Sequence, residues 1–157
     1  MQVFHELPPV FDENSKVLIL GSIPSVKSRE KGFYYMHPQN RFWKVLETIF
    51  EEKIMDKKEF CKQHGIALWD TCASCEIVSS ADSTIKKIVP NDLSIILEKA
   101  NIVQIFTTGK KAHEIYQKYL YPIYKKEDIY LSSTSPANAK KKLEDLVEEY
   151  KKILEFL

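Results

Sequence analysis

Four short apolar segments, each rich in β-branched or aromatic residues and each separated from the next by a stretch of helical periodicity, constrain this chain most. They are residues 17–20, 66–69, 102–107 and 129–131, and they read as buried strands. Helical patterns fill the intervals: residues 40–50 and 57–63 in the first, 92–100 in the second and 110–119 in the third, with Asn91 and Gly109 near plausible helix starts. A closing helix follows, in which Leu143, Leu146, Val147, Tyr150, Ile153 and Leu154 recur at helical spacing and Glu148 and Lys152 are placed for an i,i+4 pair on the wet side. Strands alternating with helices imply right-handed crossovers and a parallel sheet covered on both faces. The expected fold is therefore α/β, a three-layer α/β/α sandwich with a central four-stranded, mainly parallel sheet. At 157 residues, with no internal repeat, low-complexity tract or linker, the chain is expected to form a single domain over residues 1–157.

In open sheets of this kind ligands lie beyond the carboxyl ends of the strands. The segments there are residues 21–25, 70–76, 108–110 and 132–138, and they hold the polar sequences that a site needs. The first leaves its strand through Gly21-Ser22-Ile23-Pro24-Ser25, where small residues let another molecule approach the backbone and leave amide groups free to face an anion. Shortly after comes Lys31-Gly32-Phe33-Tyr34-Tyr35-Met36-His37-Pro38-Gln39-Asn40-Arg41-Phe42-Trp43, which mixes aromatics for stacking with His, Asn and Arg for hydrogen bonds and charge. Stacking on an aromatic face is worth about 1 to 3 kcal/mol per base, so this mixture suits an unstacked nucleobase. Phe42 and Trp43 also fit a plainer role, because Phe42, Val45, Leu46, Ile49 and Phe50 would make one buried stripe.

The net charge is only +1, so a grip on a polyanion must come from local clustering. Lys27, Arg29, Lys31, Arg41 and Lys44 flank the first motif with only Glu30 among them, and Lys140, Lys141 and Lys142 follow the last one. Each group can also be a solvated face, and Lys57, Lys58 and Lys62 are read that way. The 44% hydrophobic content can fill a core, and no apolar run approaches the roughly 18 residues of a membrane span. The opening Met-Gln-Val-Phe-His-Glu has neither a basic region nor an apolar stretch, so a cytoplasmic location is expected. Cys72 and Cys75 form a CxxC, but a zinc or iron-sulfur site normally takes four ligands, and the four histidines are scattered with no second CxxC. These two and Cys61 are read as free thiols near the core, and no metal is expected.

Taken together, the Gly-Ser-x-Pro-Ser turn, the Gly-Phe-x-Tyr-x-His-Pro-x-Asn-Arg-Phe-Trp block and the stretch Leu131-Ser-Ser-Thr-Ser-Pro-Ala-Asn138 resemble the uracil-DNA glycosylase superfamily. They are most similar to its DNA-deoxyinosine (hypoxanthine-DNA) glycosylase branch, which is related to the mismatch-specific uracil-DNA glycosylases. The resemblance implies the same fold and hydrolysis of an N-glycosidic bond in DNA, without a cofactor. The partner implied is double-stranded DNA carrying a deaminated base, with single-stranded DNA as a second candidate, and the protein is expected to work as a monomer. Ile23 decides the branch. The mismatch enzymes carry a catalytic Asn there, and a hydrocarbon can neither orient water nor hydrogen-bond a base. The resemblance therefore carries the catalytic role to Asn40, which could position water with its carbonyl or donate with its amide.

By the same resemblance Tyr35 stacks on the flipped base and residues 133–138 enter the duplex. Ala137 stands where the mismatch enzymes place a Leu wedge, so wedging is weaker or falls to Asn138. The expected base pocket comprises Gly21, Ser22, Ile23, Pro24, Tyr35, His37, Asp70 and Ser135, and the expected DNA contacts are Ser25, Lys27, Ser28, Arg41, Pro136, Ala137, Asn138 and Lys140. His37 either hydrogen-bonds within the pocket or buttresses its turn. Asp70 either activates water or caps the turn after its strand, and Asp82-Ser83 is read as helping to close the pocket. No lysine stands out as a Schiff-base nucleophile, so no lyase step is expected.

The residues reach part of this unaided. A base inside a duplex is inaccessible and must be flipped out, at a cost of a few kcal/mol that a weakly paired lesion reduces. The bond then breaks with negative charge on the departing base, which aimed donors stabilise. The leading expectation is a glycosylase excising hypoxanthine. The alternatives are a uracil or mismatch glycosylase and a non-catalytic binder of damaged DNA.

Overall fold

The structure, a computed structural model, describes residues 2–77 and 85–157. In chain order its elements begin with β1 (Gln2–Phe4), β2 (Val17–Gly21), α1 (Val26–Lys31), α2 (Phe42–Phe50), α3 (Lys57–Gln63), β3 (Ile66–Asp70) and β4 (Cys72–Ile77). They continue with β5 (Ile85–Pro90), the single turn α4 (Ser94–Leu97), β6 (Gln104–Thr108) and α5 (Lys110–Ile115), which runs through a π turn (Tyr116–Leu120) into α6 (Tyr121–Tyr124). β7 (Asp128–Leu131) and α7 (Leu143–Tyr150), with a 3₁₀ turn over Lys151–Phe156, complete the order.

The central sheet has the order β3-β2-β6-β7, and all its pairings are parallel, as expected. β2 lies inside it with Val17, Leu18, Ile19 and Leu20 wholly buried, which is why these four of its five positions are aliphatic. Helices flank the sheet: α2 packs on α7, α3 on β3, and α5 on β6 and β7. Among the described residues no helix is long and apolar enough to cross a membrane.

The chain leaves β2 toward β3 and leaves β6 toward β7, so the loops after these two neighbouring strands diverge. This opens a crevice at the carboxyl ends of β2 and β6, the switch point at which such sheets bind ligands.

Beside this sheet stands an antiparallel one, of order β1-β4-β5, which the sequence pattern did not foretell. Val3, Cys75 and Ile85 form its buried cluster, and Ile23, Ile77 and Ile88 pack against them. Its strands carry weak signals: β1 has three residues, β4 reads Cys-Ala-Ser-Cys-Glu-Ile, and β5 has exposed lysines at 86 and 87. Their pairing comes from partners far along the chain and not from local propensity.

The helix expected over residues 92–100 is one turn, because Asn91 turns inward and donates its amide to the carbonyls of Asp70 (2.9 Å) and Cys72 (3.0 Å), leaving Asp92 to cap Ser94. The expected Glu148–Lys152 pair is replaced by Glu148–Lys151 at 3.0 Å, since the 3₁₀ turn shifts the face after Tyr150.

Candidate active site

At the end of β3, Asp70 is buried, at 3% exposure. Its Oδ2 lies 2.7 Å from Nε2 of His5, whose side chain is 1% exposed. A carboxylate oxygen accepts, so Nε2 carries the hydrogen. Oδ1 faces the next strand instead. A Cβ built on Gly21 would stand 2.5 Å from Oδ1 and 3.4 Å from the hydroxyl oxygen of Tyr35, so the missing side chain of Gly21 leaves a recess beside that hydroxyl which Oδ1 itself occupies. No turn amide caps Asp70 among the described residues. The turn is held instead by Thr71 N–H on the Gly21 carbonyl (2.7 Å), by Cys72 N–H on the Ser22 carbonyl (3.1 Å) and by Asn91.

The five Phe, Tyr and Trp residues before α2 and at its start divide by position. Tyr34 is core: its hydroxyl donates to the carbonyls of Pro8 (2.8 Å) and Leu7 (3.3 Å), and its own carbonyl accepts from Trp43 Nε1 (3.0 Å). Tyr35 turns the other way, through a left-handed backbone with φ of 57°. That conformation costs about 1 to 3 kcal/mol in a side-chain-bearing residue and persists only where its surroundings hold it. Here a face-to-face stack on Phe42 (centroids 3.8 Å apart, 13° between planes) and a 3.2 Å hydrogen bond between the Tyr35 and Thr108 hydroxyls hold it. Burial and the charge of Asp70 push the Tyr35 phenol above its ordinary range, so it remains a neutral hydroxyl.

Asn40 joins two elements. Its Oδ1 accepts from the Phe42 backbone N–H (2.9 Å), at the start of α2, and from the Thr134 hydroxyl (2.8 Å) in the loop after β7. A backbone N–H can only donate, so the amide orientation is determined, and Nδ2 is left as a donor with no partner among the described residues.

A match to the uracil DNA glycosylase superfamily spans residues 8–157. The chain belongs to that superfamily. It is 36% identical over 133 residues to a protein of Methanosarcina barkeri described as a hypoxanthine DNA glycosylase, a match covering 81% of this chain and 84% of the relative. A Methanosarcina acetivorans protein of the same description is 35% identical over 68% of this chain and 72% of the relative. The fold agrees: a Methanosarcina acetivorans structure, solved in solution as a candidate uracil DNA glycosylase, superimposes with a TM-score of 0.79 at 31% identity, covering 98% of this chain and 99% of the other. The chain is a DNA glycosylase, and DNA is its substrate.

Several residues of this glycosylase that were expected to face DNA or the base have inward roles. Ser28 is buried, and its Oγ accepts from Met36 N–H (2.9 Å) and from the hydroxyl of Ser25 (3.2 Å), so it ties the loop after α1 to the start of that helix. Arg41 donates to the carbonyls of Thr134, Ser135, Asn138 and Lys141, clasping residues 134–141 rather than presenting its guanidinium outward. Ile23 packs on the cluster of Val3, Cys75 and Ile85. His37 takes the buttress role: Nδ1 accepts from Gln39 N–H (3.1 Å) and its carbonyl from Asn40 N–H (2.9 Å).

Ser22 and Pro24 are buried beside Gly21, whereas Ser25 is exposed and caps α1 through Ser28 N–H, and Lys27 pairs with Glu30 at 3.4 Å. In the last loop Ser135 Oγ accepts from Ala137 N–H (3.2 Å) and the Asn138 amide donates to the Ser133 carbonyl (2.9 Å), so Pro136 and Ala137 are exposed at the tip of a braced turn. Lys140 is exposed just beyond it. Asp82-Ser83 lies outside the described residues. All three thiols are buried, and burial pushes that of Cys61 up to about 12. Sequence reasoning missed His5, which no spacing announces, and did not single out Thr108 and Thr134 within the polar segments it placed at the strand ends.

Proposed function

We propose that this glycosylase hydrolyses the N-glycosidic bond of hypoxanthine in double-stranded DNA containing deoxyinosine, acting as a monomer and leaving an abasic site. The observation that carries the reading is the identity of 36% and 35% to two proteins described as hypoxanthine DNA glycosylases. Ile23 supports it, since its place in an apolar cluster leaves that position without a polar group to orient water.

In this reading the damaged base leaves the duplex and enters the crevice at the ends of β2 and β6, covered by the Tyr35 ring on the face away from Phe42. Exposed Pro136 and Ala137, with half-buried Asn138 behind them, enter the space it vacates, and Lys140 meets the backbone of the same strand. As the bond from C1′ to the base nitrogen breaks, its electron pair leaves with the base and positive charge develops on the sugar. Water adds to C1′ and loses a proton. With its carbonyl engaged twice, Asn40 is suited to the donor role, Nδ2 hydrogen-bonding the base as its negative charge grows.

The test is a panel of duplexes carrying hypoxanthine, uracil or xanthine, incubated with the protein and then treated with alkali to cut abasic sites. Cutting confined to, or fastest at, hypoxanthine is expected. Faster cutting at uracil moves the chain to that activity, and binding without cutting makes it a damage binder. Asn40→Ala is expected to lower single-turnover excision at least about tenfold with folding intact. Parental excision by that variant removes Asn40 from the mechanism.

A further inference from the structure

We propose that His5 is a positioning residue for base recognition: it holds Asp70 so that the free carboxylate oxygen reads a ring N–H of the flipped base. The inference rests on the hypoxanthine reading above. His5 precedes residue 8, where the match to the superfamily begins, so the family resemblance did not announce it.

The geometry carries it. His5 follows β1, and its backbone N–H donates to the Ala73 carbonyl at 2.7 Å, which continues the pairing of β1 with β4 and aims the ring at the end of β3. Tyr34 (centroids 6.0 Å apart) and the edge-on Trp69 ring (6.2 Å) confine the imidazole. Nε2 then grips Oδ2 at 2.7 Å and fixes the plane of the carboxylate. Among the described residues Oδ1 has no hydrogen-bond partner, and it lies in the recess over Gly21 beside the Tyr35 hydroxyl.

An acceptor held at that place discriminates by chemistry. Deamination of adenine converts its ring N1 from an acceptor into the N–H donor of hypoxanthine, so the carboxylate oxygen accepts from the damaged base and opposes the lone pair of the normal one. A bare carboxylate would also oppose the negative charge growing on the departing base. His5 is the one basic side chain paired with Asp70 among the described residues, and its hydrogen bond draws charge away from the recess.

The experiment compares His5→Phe, His5→Gln and His5→Asn with the parent, reading kcat/KM on a hypoxanthine duplex and the melting temperature. Phe keeps the ring shape without a donor, Gln brings an amide nitrogen close to the place of Nε2, and Asn falls short of it. Expected is a loss of at least about tenfold for Phe, recovery of most of it by Gln and not by Asn, and no further loss when His5→Phe is added to Asp70→Ala. Parental activity in Phe, losses in Gln and Asn that are equal and track melting temperature, or additive losses in the double variant overturn the proposal. Should Phe not fold, the Gln and Asn pair decides by the same criterion. If the parent itself does not cut hypoxanthine, the reading beneath fails; if the parent cuts and the His5 variants cut equally, only this inference fails.

Discussion

Two histidine–aspartate pairs of equal length occupy different parts of this molecule. His5 Nε2 is 2.7 Å from Asp70 Oδ2 at the end of β3, and His113 Nδ1 is 2.7 Å from Asp128 Oδ2 where α5 covers β6 and β7. Asp128 is saturated. Its Oδ2 also accepts from the Thr107 hydroxyl (2.7 Å), and its Oδ1 accepts from the Gln117 amide (2.6 Å), with the side chain wholly enclosed. Among the described residues Asp70 has one donor, on Oδ2, and none on Oδ1. A buried carboxylate with all its acceptors filled acts as a brace, whereas one held by a single donor keeps hydrogen-bonding capacity for something that arrives later.

The comparison breaks or holds on three variants. The largest effect is expected for Asp70→Asn, in which His5 keeps the amide oxygen and the recess receives an NH2 group. Losing an acceptor for the base and facing donor with donor is worth roughly 2 to 3 kcal/mol, on the order of a hundredfold in kcat/KM, with a small change in melting temperature. Single-turnover kinetics on a hypoxanthine duplex check it, and retained activity would make Asp70 a second brace. Asp128→Ala should do the reverse. It strands the buried Thr107 hydroxyl and the Gln117 and His113 donors, for a stability loss of about 2 kcal/mol in urea titration, while excision measured well below the melting temperature stays at the parental rate. Loss of activity in the folded variant would erase the distinction between the two pairs. Gly21→Ala sharpens the comparison. Its methyl would meet Oδ1 at 2.5 Å, so the carboxylate must swing from His5 or from the recess, and excision should fall about tenfold at near-parental stability. Parental excision by this variant would show that the recess is not where the base goes.

Much of the frame was legible in the chain. Uninterrupted aliphatic runs such as Val17-Leu18-Ile19-Leu20 can only be stable with both faces covered, and the polar segments fall at the ends of those runs, so the covered parallel sheet followed from alternation alone. The stripe of Phe42, Val45, Leu46 and Ile49 placed α2 to within two residues, because helical periodicity is local information.

Contacts between distant segments decided the rest. Tyr34 and Tyr35 are chemically alike and adjacent, yet one is core and the other borders the recess, because the left-handed turn at Tyr35 depends on Phe42 and Thr108. Arg41 and Ser28 carry the side chains of DNA-contacting residues, but the folded loop offers their polar atoms internal partners first.

What the sequence determined by itself is therefore the parallel sheet, the helices that flank it and the gathering of polar segments at the carboxyl ends of its strands, since each depends on the order of residues within one element. What only the tertiary structure decided is the antiparallel sheet of β1, β4 and β5 and the meeting of His5 with Asp70 across 65 positions. Weak strands acquire their structure from their partners, and a hydrogen bond between distant residues exists only once the chain between them has folded.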